Sequence, residues 1–501
     1  MSRQRPLEEV TPSTSGEPAV EHGGPEGRSF FGQPWVLANL FGVEMWERFS
    51  FYGMQGILLI YLYYSASRGG LGIDQGVAAG IVGAYGGAVY LATILGAWLA
   101  DRAIGAERTL FLSAVVVMLG HVALAVLPGV AGVGVGLILI ALGSGGVKAN
   151  ATSLVGSLYV EGDERRDAGF SLFYMGINLG AFVGPLLTGL LQKEWGFHLG
   201  FGLAAVGMAL GLVQYAVGRR RLPAETHHVP NPLAPAERGR YAGLAVLGIT
   251  VVVVLCLTHV ITAGRLSDIV IWVSLVAAVI YFALILSSSL ITRIERRRVW
   301  AMVPMFVASA VFWSLYQQQF TVMTIYSDQR LDRSLFGWEM PVSWVQSINP
   351  VYIIVFAGVF AALWTRLGER QPSTPVKFAL GTGLMGVAFL VFLVMPSGAH
   401  AVPLLGLAFI LLLFTFAELL LSPVGLSLST KLAPERFRTQ MVALFFLSVA
   451  LGTAMSGRLA AYYHPDHEGP FFWWIGLVGI VVGVVMLLLT RPIRALMEGV
   501  R

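Results

Sequence analysis

The chain has 501 residues, of which 56% are hydrophobic and 12% are charged. A soluble globular protein has about 25% charged residues, so this composition excludes a soluble protein and predicts a polytopic membrane protein. The net charge of +5 does not indicate nucleic-acid binding, because the basic residues lie in short loops between apolar runs.

Residues 1–32 form a polar segment before the first apolar run. Pro, Ser, Gly and Glu are mixed there without a periodic apolar pattern, which is typical of a disordered tail. A cleavable signal peptide is not expected, since no continuous apolar stretch precedes Phe30.

Fourteen apolar segments follow, and each has about the 20 residues that a helix needs to cross a hydrocarbon layer of about 30 Å. Their predicted bounds are 35–64, 77–100, 107–128, 133–158, 168–191, 197–218, 241–262, 268–290, 300–326, 343–365, 376–396, 402–430, 438–462 and 471–490. The sequence therefore predicts an all-α membrane protein with fourteen transmembrane helices.

The lysines and arginines predict the orientation of these helices. Of the 33 such residues, 25 lie in the termini and in the loops of one side, and five lie in the loops of the other side. Cytoplasmic loops carry the excess of positive charge. We therefore expect both termini in the cytoplasm and the protein in the inner (plasma) membrane of the cell.

The proline-containing polar stretch 219–240 divides six spans from eight, and we interpret it as a cytoplasmic linker. The two spans of segment 241–298 have apolar runs without buried charge and look like an insertion. This leaves two six-helix bundles, 33–218 and 299–492, and a cytoplasmic tail, 493–501. Two pseudo-symmetric halves predict a substrate site at the midplane with alternating access.

The first span contains three ionisable residues, Glu44, Glu47 and Arg48. Each charge in a membrane helix costs roughly 2.5–3.5 kcal/mol on insertion scales, so these residues are expected to face protein or water. Helical spacing places all three on one face, together with Tyr52. We interpret them as candidates for function; the alternative is a salt-bridged packing cluster.

The turn between the second and third spans contains Asp101-Arg102-x-x-Gly105, shortly after Gly96. A short turn with a charge pair and a glycine suits two helices whose ends must meet closely and then separate. The turn resembles the signature loop of the major facilitator superfamily. That resemblance implies a transporter scaffold and does not indicate the cargo.

Three further polar residues lie deep in later spans: Lys148, Asn178 and Glu418. We interpret Lys148, which lies among small residues, as a functional cation. Glu418, with Ser422 one turn later, is interpreted as a carboxylate for substrate or proton binding. Asn178, one turn after Tyr174, fits either a substrate contact or a hydrogen bond between helices.

Three other residues fit structural roles. Arg458 lies near the end of its span, where its side chain can reach the membrane interface. His121 is interpreted as a hydrogen-bonded core histidine. The single cysteine, Cys256, excludes an internal disulfide and is interpreted as a buried, inert thiol.

These residues belong to motifs that occur in order along the spans. The motifs are Glu44-x-x-Glu47-Arg48-Phe49-x-x-Tyr52-Gly53, the glycine-rich segment that ends at Lys148 and Asn150, Phe173-Tyr174-x-x-Ile177-Asn178, Phe312-Trp313, and Glu418 before Ser422-Pro423. Over residues 33–495 the chain resembles the proton-coupled oligopeptide transporters, the peptide/nitrate branch of the major facilitator superfamily. The extra helix pair resembles that of the bacterial members.

The resemblance implies a function and a set of binding residues. A di- or tripeptide zwitterion would be held by Arg48, Lys148 and Tyr52 at its carboxylate and by Glu418 at its ammonium group. The further substrate-binding residues that it implies are Tyr90, Asn178, Asn349 and Ser422, and the implied pocket-lining residues are Phe51, Trp313, Gln317 and Phe445.

The charges of Glu44, Glu47, Arg48, Lys148 and Glu418 sum to −1 when all are ionised. One acid is therefore expected to take up a proton, because burial near another acid favours the neutral form. The resemblance ties the first-span motif to coupling, so Glu47 or Glu44 would carry the proton and release Arg48. The proton is the coupling ion; no other cofactor and no metal are expected.

Two departures from the family concern the outer gate. Family members often have an acid where this chain has Gln317 and an arginine where it has Gln55. Both charges are absent together, which electrostatics requires, because one stranded buried charge costs about 3–5 kcal/mol. We expect a Gln55–Gln317 contact or apolar packing in their place, with weaker control by pH.

Two other functions stay open. The same scaffold could carry nitrate, amino-acid derivatives or drugs, although Glu418 would repel an anion, or the protein could be a transport-inactive membrane sensor. An enzyme is not expected, since no nucleophile–base pair and no metal-ligand cluster is visible in the sequence. The expected partners are a small peptide and the lipid bilayer, without nucleic acid, and the expected functional unit is a monomer.

Overall fold

The computed structural model describes residues 29–160 and 163–500. Within these ranges the helices are α1 Val36–Tyr63, α2 Gln75–Leu99, α3 Ala106–Val126, α4 Gly129–Gly156, α5 Arg165–Trp195, α6 Phe197–Gly218, α7 Pro235–Leu257, α8 Leu266–Ser287, α9 Arg293–Tyr316, α10 Val322–Gln329, α11 Ile348–Leu367, α12 Thr374–Val391, α13 Leu404–Lys431, α14 Arg438–Ala460 and α15 Glu468–Leu496. Two antiparallel hairpins pair β1 Ser29–Phe30 with β2 Gln33–Pro34 and β3 Ser334–Leu335 with β4 Trp338–Glu339.

Each of the fourteen predicted spans contains a long helix. Thirteen helical segments of the described ranges are long and apolar enough to cross a membrane, and one of them joins α9 to α10 through the turn Gln317–Phe320. Helix α1 is the fourteenth: its 28 residues extend about 42 Å at 1.5 Å per residue, and its charged residues lower its mean hydropathy. The predicted all-α architecture with fourteen transmembrane helices is confirmed.

The ends of the predicted segments shift by a few residues. The linker ends at Ala234, because Pro235 suits the first position of a helix and the backbone N–H of Ala234 donates to the Glu237 carboxylate at 3.2 Å. Helix α15 continues to Leu496, so the predicted tail begins as helix. The predicted disordered tail lies outside the described residues up to residue 28, and residues 29–32 belong to the first hairpin.

The helices form two bundles with an inserted pair at their edge. In the first bundle α1 packs on α5 and α6, and α2 and α3 pack on α4; in the second, α9 packs on α14, and α12 packs on α13 and α15. Helix α8 contacts both α2 and α14, whereas α7 has no buried residue. Cys256 of α7 is exposed, so the prediction of a buried thiol is wrong; its apolar neighbours face outward because the surrounding solvent is lipid.

Glycines allow α2 to approach helices of both bundles closely. A Cβ atom added to Gly83 would lie 2.6 Å from the Cα of Gly457 in α14, and one added to Gly96 would lie 2.6 Å from the Cα of Gly146 in α4. Small residues at such contacts are typical of membrane helices, which gain dispersion energy from close packing. The α2–α4 contact brings Tyr90 of α2 next to Lys148 of α4.

We call the side on which α1 begins and α15 ends the terminal side, and the other the opposite side. The Asp101-Arg102-x-x-Gly105 turn lies on the terminal side, where it holds the linker. Asp101 accepts a hydrogen bond from the Asn231 side chain at 2.9 Å, and Arg102 forms an ion pair with Glu237 at 3.3 Å. Gly105 has a φ of +84°, which favours glycine.

Candidate functional site

A cavity of about 210 Å³ lies between the two bundles, near the middle of the spans. Nine residues that the sequence predicted as binding or pocket-lining residues line it: Tyr52, Tyr90, Lys148, Asn178, Trp313, Gln317, Asn349, Glu418 and Ser422. Helices α1, α2, α4 and α5 form one wall, and α9, α11 and α13 form the other. The cavity therefore collects polar residues from seven helices of both bundles.

Lys148 provides the cation of the first wall. Its ammonium nitrogen lies 4.4 Å from the centre of the Tyr90 ring, a geometry in which the ring's electrons attract the charge. Lys148 forms no ion pair with any residue in the described ranges. A positive charge without a negative partner therefore faces the cavity.

Glu418 provides the anion of the second wall. Its carboxylate accepts hydrogen bonds from the Tyr316 hydroxyl at 2.7 Å and from the Asn349 amide at 3.3 Å. Asn349 also donates to Thr415 at 3.0 Å, which fixes the amide. These donors are neutral, and Glu418 forms no ion pair within the described part of the chain, so its negative charge is held in place without being neutralised.

Glu44, Glu47 and Arg48 form a separate cluster beside the cavity. The Arg48 guanidinium lies 2.9 Å from Glu44 and 2.8 Å from Glu47, and all three residues are at most 3% exposed. Ser144 of α4 donates a further hydrogen bond to Glu47 at 2.8 Å. Arg48 is therefore engaged by two carboxylates and, unlike Lys148, does not line the cavity.

Two residues predicted to line the pocket lie elsewhere. Phe51 is buried and stacks on Tyr85, with 5.9 Å between the ring centres. Phe445 is buried against Gly425, where an added Cβ would lie 2.5 Å from its ring. Both predictions came from the family resemblance, whereas packing against neighbouring side chains and helices decides which residues of this chain reach the cavity.

Three other predictions can be compared with the structure. Gln317 lines the cavity, and the side-chain oxygen of Gln55 is buried without a hydrogen-bond partner in the described ranges. No hydrogen bond therefore joins the two residues there, and apolar packing, the other expectation for this gate, stays a prediction. His121 is fully buried, but neither ring nitrogen has a hydrogen-bond partner among the described residues, so the prediction of a hydrogen-bonded histidine is wrong there. Arg458 lies in the last turn of α14, where its half-exposed side chain forms an ion pair with Asp268 at 3.2 Å, which is compatible with the predicted structural role.

Hydrogen bonds join the two bundles on the opposite side of the cavity. Tyr63 and Tyr64 at the end of α1 each donate to the carboxylate of Asp328 in α10, both at 2.6 Å. The remaining bonds between the bundles join Gln75 to Gln329, Lys193 to Glu339, Ser343 to Pro185, Trp344 to Leu186 and Ser347 to Phe182. Within the described ranges, the hydrogen bonds between the two bundles all lie in this half of the molecule.

Sequence reasoning missed Tyr316 and the residues that close the opposite side. Tyr316 lies one helical turn after Trp313, which is the spacing that places two side chains on one face. The spacing from Trp313 could therefore have predicted from the sequence alone that Tyr316 faces the site. The pairing of Tyr63 and Tyr64 with Asp328 joins residues more than 260 positions apart, so no local pattern predicts it.

The architecture and the sequence both match known proteins. The model of the POT family matches residues 107–470. A di-/tripeptide transporter from Lactococcus lactis subsp. cremoris is 38% identical over 489 residues, which cover 95% of this chain and 98% of the relative. A crystal structure of a peptide transporter POT in complex with sulfate has a TM-score of 0.90 and 44% identity, covering 94% of this chain and 97% of that one.

A POT family transporter in complex with 5-aminolevulinic acid also matches, with a TM-score of 0.87 and 36% identity over 93% of this chain and 98% of that one. Two helical bundles around a central polar cavity, with these matches, define a multi-pass membrane transporter with the major facilitator fold. The chain belongs to the POT family. The predicted fold and family are confirmed, and the family consists of transporters and not of enzymes.

Proposed function

We propose that this protein is a proton-coupled symporter that imports di- and tripeptides through the plasma membrane by alternating access. One observation carries the proposal: a single cavity has Lys148, a cation without an ion pair, on one wall and Glu418, an anion without an ion pair, on the other. A peptide zwitterion supplies the two missing partners in one molecule.

The chemistry of the cavity wall fits the remainder of a peptide. The carboxylate of the peptide binds Lys148, and its ammonium group binds Glu418. Tyr52, Asn178 and Asn349 offer hydroxyl and amide groups for the peptide backbone. Because both charges of the site and both charges of the ligand lose water together, binding is favourable only when each pair forms.

The cluster in α1 provides the coupling step. Protonation of Glu47 removes one of the two carboxylates that hold Arg48. The guanidinium then has a free hydrogen-bonding edge and joins Lys148 in binding the peptide carboxylate. Loss of the proton on the other side of the membrane restores the ion pair and weakens peptide binding, so a proton gradient drives accumulation of peptide.

The hydrogen bonds between the bundles assign a state in the transport cycle. They lie toward the opposite side, and the positive-inside distribution supports a cytoplasmic terminal side. The described conformation is therefore closed to the exterior. The cavity lies within one chain, so the proposed functional unit is a monomer.

Uptake of labelled dialanine into liposomes tests the proposal. We expect accumulation under an inward proton gradient, competition by other dipeptides and no competition by nitrate. Lys148→Gln and Glu418→Gln should each weaken binding by at least about 30-fold, since a buried charge left unpaired costs about 2–5 kcal/mol. Glu194→Gln, an exposed acid outside the cavity, is the control and should behave as the parent.

A second cargo is supported by one of the solved relatives. The complex of a POT family transporter with 5-aminolevulinic acid shows a ligand that carries an amino group and a carboxyl group, the same two charges as a peptide. Competition with dialanine decides between them: strong inhibition by 5-aminolevulinic acid and weak inhibition by tripeptides would indicate a carrier of small amino acids. Normal dialanine uptake by Glu418→Gln would overturn the assignment of the ammonium site.

A further inference from the structure

A second polar cavity lies on the terminal side of the second bundle, away from the central site. Its volume is about 650 Å³, and its walls come from α11, α12, α13 and α15. Its lining includes the aromatic, charged and hydroxyl side chains of Trp364, Glu369, Thr374, Lys377, Lys431 and Arg494. We call it the interfacial cavity. The transport cycle described above uses none of these residues.

The charges of the interfacial cavity favour an anion. Lys377, Lys431 and Arg494 reach it from three different helices, and Glu369 is the one acid that lines it. The cavity therefore has an excess of two positive charges. Lys431 also repels Lys377, which makes a negative ligand between the helices favourable.

Lys377 is held in position before any ligand arrives. Its ammonium group lies 4.2 Å from the centre of the Trp364 ring and donates a hydrogen bond to the Gln371 side chain at 2.8 Å. The residue is only 7% exposed. A long side chain fixed in this way loses little conformational entropy when it binds a ligand.

The first turn of α12 adds a second attraction for anions. Thr374 is its first residue, and the side chain of the preceding Ser373 makes no capping hydrogen bond. The N–H groups at the start of an 18-residue helix carry a partial positive charge. These groups lie on the same cavity as Lys377.

The depth of the cavity identifies the kind of anion. Lys377 is the fourth residue of α12, Lys431 is the last residue of α13, and Arg494 is two residues before the end of α15. These positions are at the level of lipid headgroups and not of the hydrocarbon core. Trp364, near the end of α11, is typical of the same interface, and the outward face of α11 is apolar and exposed.

We propose that the interfacial cavity binds the phosphodiester headgroup of an anionic phospholipid from the leaflet on the terminal side. Basic residues that only set topology would point into water at separate places. Here they converge on one cavity that is bounded by four helices and lies beside the lipid-facing surface of α11. The acyl chains would follow that surface.

Native mass spectrometry of the full-length protein tests the proposal with two probes, phosphatidylglycerol and phosphatidylcholine with matched acyl chains. The parent protein should retain phosphatidylglycerol preferentially. Arg494→Gln should reduce this preference about fivefold, and Lys431→Gln should do the same, since each basic residue contributes about 1 kcal/mol to the binding of an anionic lipid. Arg494→Lys keeps the charge and should keep most of the preference.

The matched control is Arg491→Gln, which removes the same charge three residues away on α15 but does not line the interfacial cavity. It should leave the preference unchanged. An equal loss in Arg491→Gln would overturn the proposal, because the attraction would then be diffuse. Displacement of the lipid by millimolar inorganic phosphate would also overturn it and indicate a site for a free anion.

A third readout separates this proposal from the proposed function. Counterflow of dialanine in phosphatidylcholine liposomes should be the same in Arg494→Gln and in the parent protein, because the interfacial cavity does not touch the central one. Loss of lipid preference with intact counterflow supports the proposal. Equal lipid retention in the Arg494→Gln and Lys431→Gln variants and the parent contradicts it, whatever peptide uptake shows.

Discussion

The two bundles differ in the partners that they provide for buried carboxylates. In the first bundle Glu44 and Glu47 both lie within 3 Å of the Arg48 guanidinium, and none of the three residues lines the cavity. In the second bundle Glu418 is held by the neutral donors Tyr316 and Asn349 and faces the cavity. Glutamates of equal membrane cost thus have different surroundings: the first pair is already matched by a cation of the protein, and Glu418, within the described ranges, is not. In the proposed function the first pair takes up the proton, and Glu418 binds the ammonium group of the peptide.

The largest expected effect concerns the paired cluster. Arg48→Gln should lower the free energy of unfolding by about 3–5 kcal/mol, because it strands two buried carboxylates. Thermal unfolding in detergent measures this. The double variant Glu47→Gln/Arg48→Gln is the control and should recover part of the loss, since one of the stranded charges is removed. An unchanged melting temperature in Arg48→Gln would show that the ion pairs do not hold the cluster.

For Glu418, the carboxylate without an ion pair in the described ranges, we expect a large effect on peptide affinity and a small effect on stability. Glu418→Gln should reduce peptide affinity at a cost of about 2 kcal/mol or more, yet change the free energy of unfolding by less than about 1 kcal/mol, because no cation is stranded. Peptide binding by calorimetry and thermal unfolding are measured on the same sample. Strong destabilisation of Glu418→Gln would remove the distinction between the two bundles.

The third prediction concerns the proposed coupling of proton uptake at Glu47 to peptide transport, a role that the proposal gives to the first bundle and not to Glu418. Glu47→Gln should retain peptide counterflow but lose accumulation driven by a pH gradient, a loss of about tenfold for one proton and one pH unit. The glutamine keeps the hydrogen bond from Ser144 and removes the titratable group. Glu44→Gln is the matched comparison. Gradient-driven accumulation by Glu47→Gln at the parent level would assign the proton to another acid.

The smallest expected effect concerns the closed side. Tyr63→Phe removes one of the two hydrogen bonds to Asp328, so it should shift the balance toward the outward-open state by about 1 kcal/mol, or roughly fivefold. Distances between spin labels on the opposite side measure the shift. Tyr326→Phe is the control, because the buried hydroxyl of Tyr326 has no hydrogen-bond partner in the described part of the chain. Equal distance distributions in Tyr63→Phe and in the parent would show that Asp328 does not hold this side closed.

Much of the fold could be predicted because hydropathy and spacing are local signals. Every predicted span contains a helix, and polar residues in apolar helices indicated Lys148, Asn178 and Glu418 before their common cavity was known. What a side chain faces is not a local property. Phe51 directly precedes Tyr52 in the sequence, but its ring packs on Tyr85. The ring of Phe445 packs on Gly425.

The errors at polar and thiol positions have a common cause. The interpretations of His121 and Cys256 relied on neighbours in sequence, whereas their surroundings come from other helices or from lipid. For Glu44, Glu47 and Arg48 the sequence favoured a functional role and left a salt-bridged packing cluster as the alternative, since three charges on one helical face are compatible with both. The structure shows the arrangement: both glutamates pair with Arg48, Ser144 donates a hydrogen bond to Glu47, and Arg48 does not line the cavity.

The inserted helix pair has a mechanical consequence. Helix α8 touches α2 of one bundle and α14 of the other, and the Ser267 hydroxyl of α8 donates to the Gly80 carbonyl of α2 at 2.7 Å. A separation of α2 from α14 would therefore also break the contacts of α8 with one of these two helices. The seam between α5 and α11 lacks α8 and is crossed instead by hydrogen bonds from Ser343, Trp344 and Ser347 to carbonyl groups of α5. In the proposed alternating-access cycle, a helix remote from the cargo therefore adds a contact that any separation of α2 from α14 has to break.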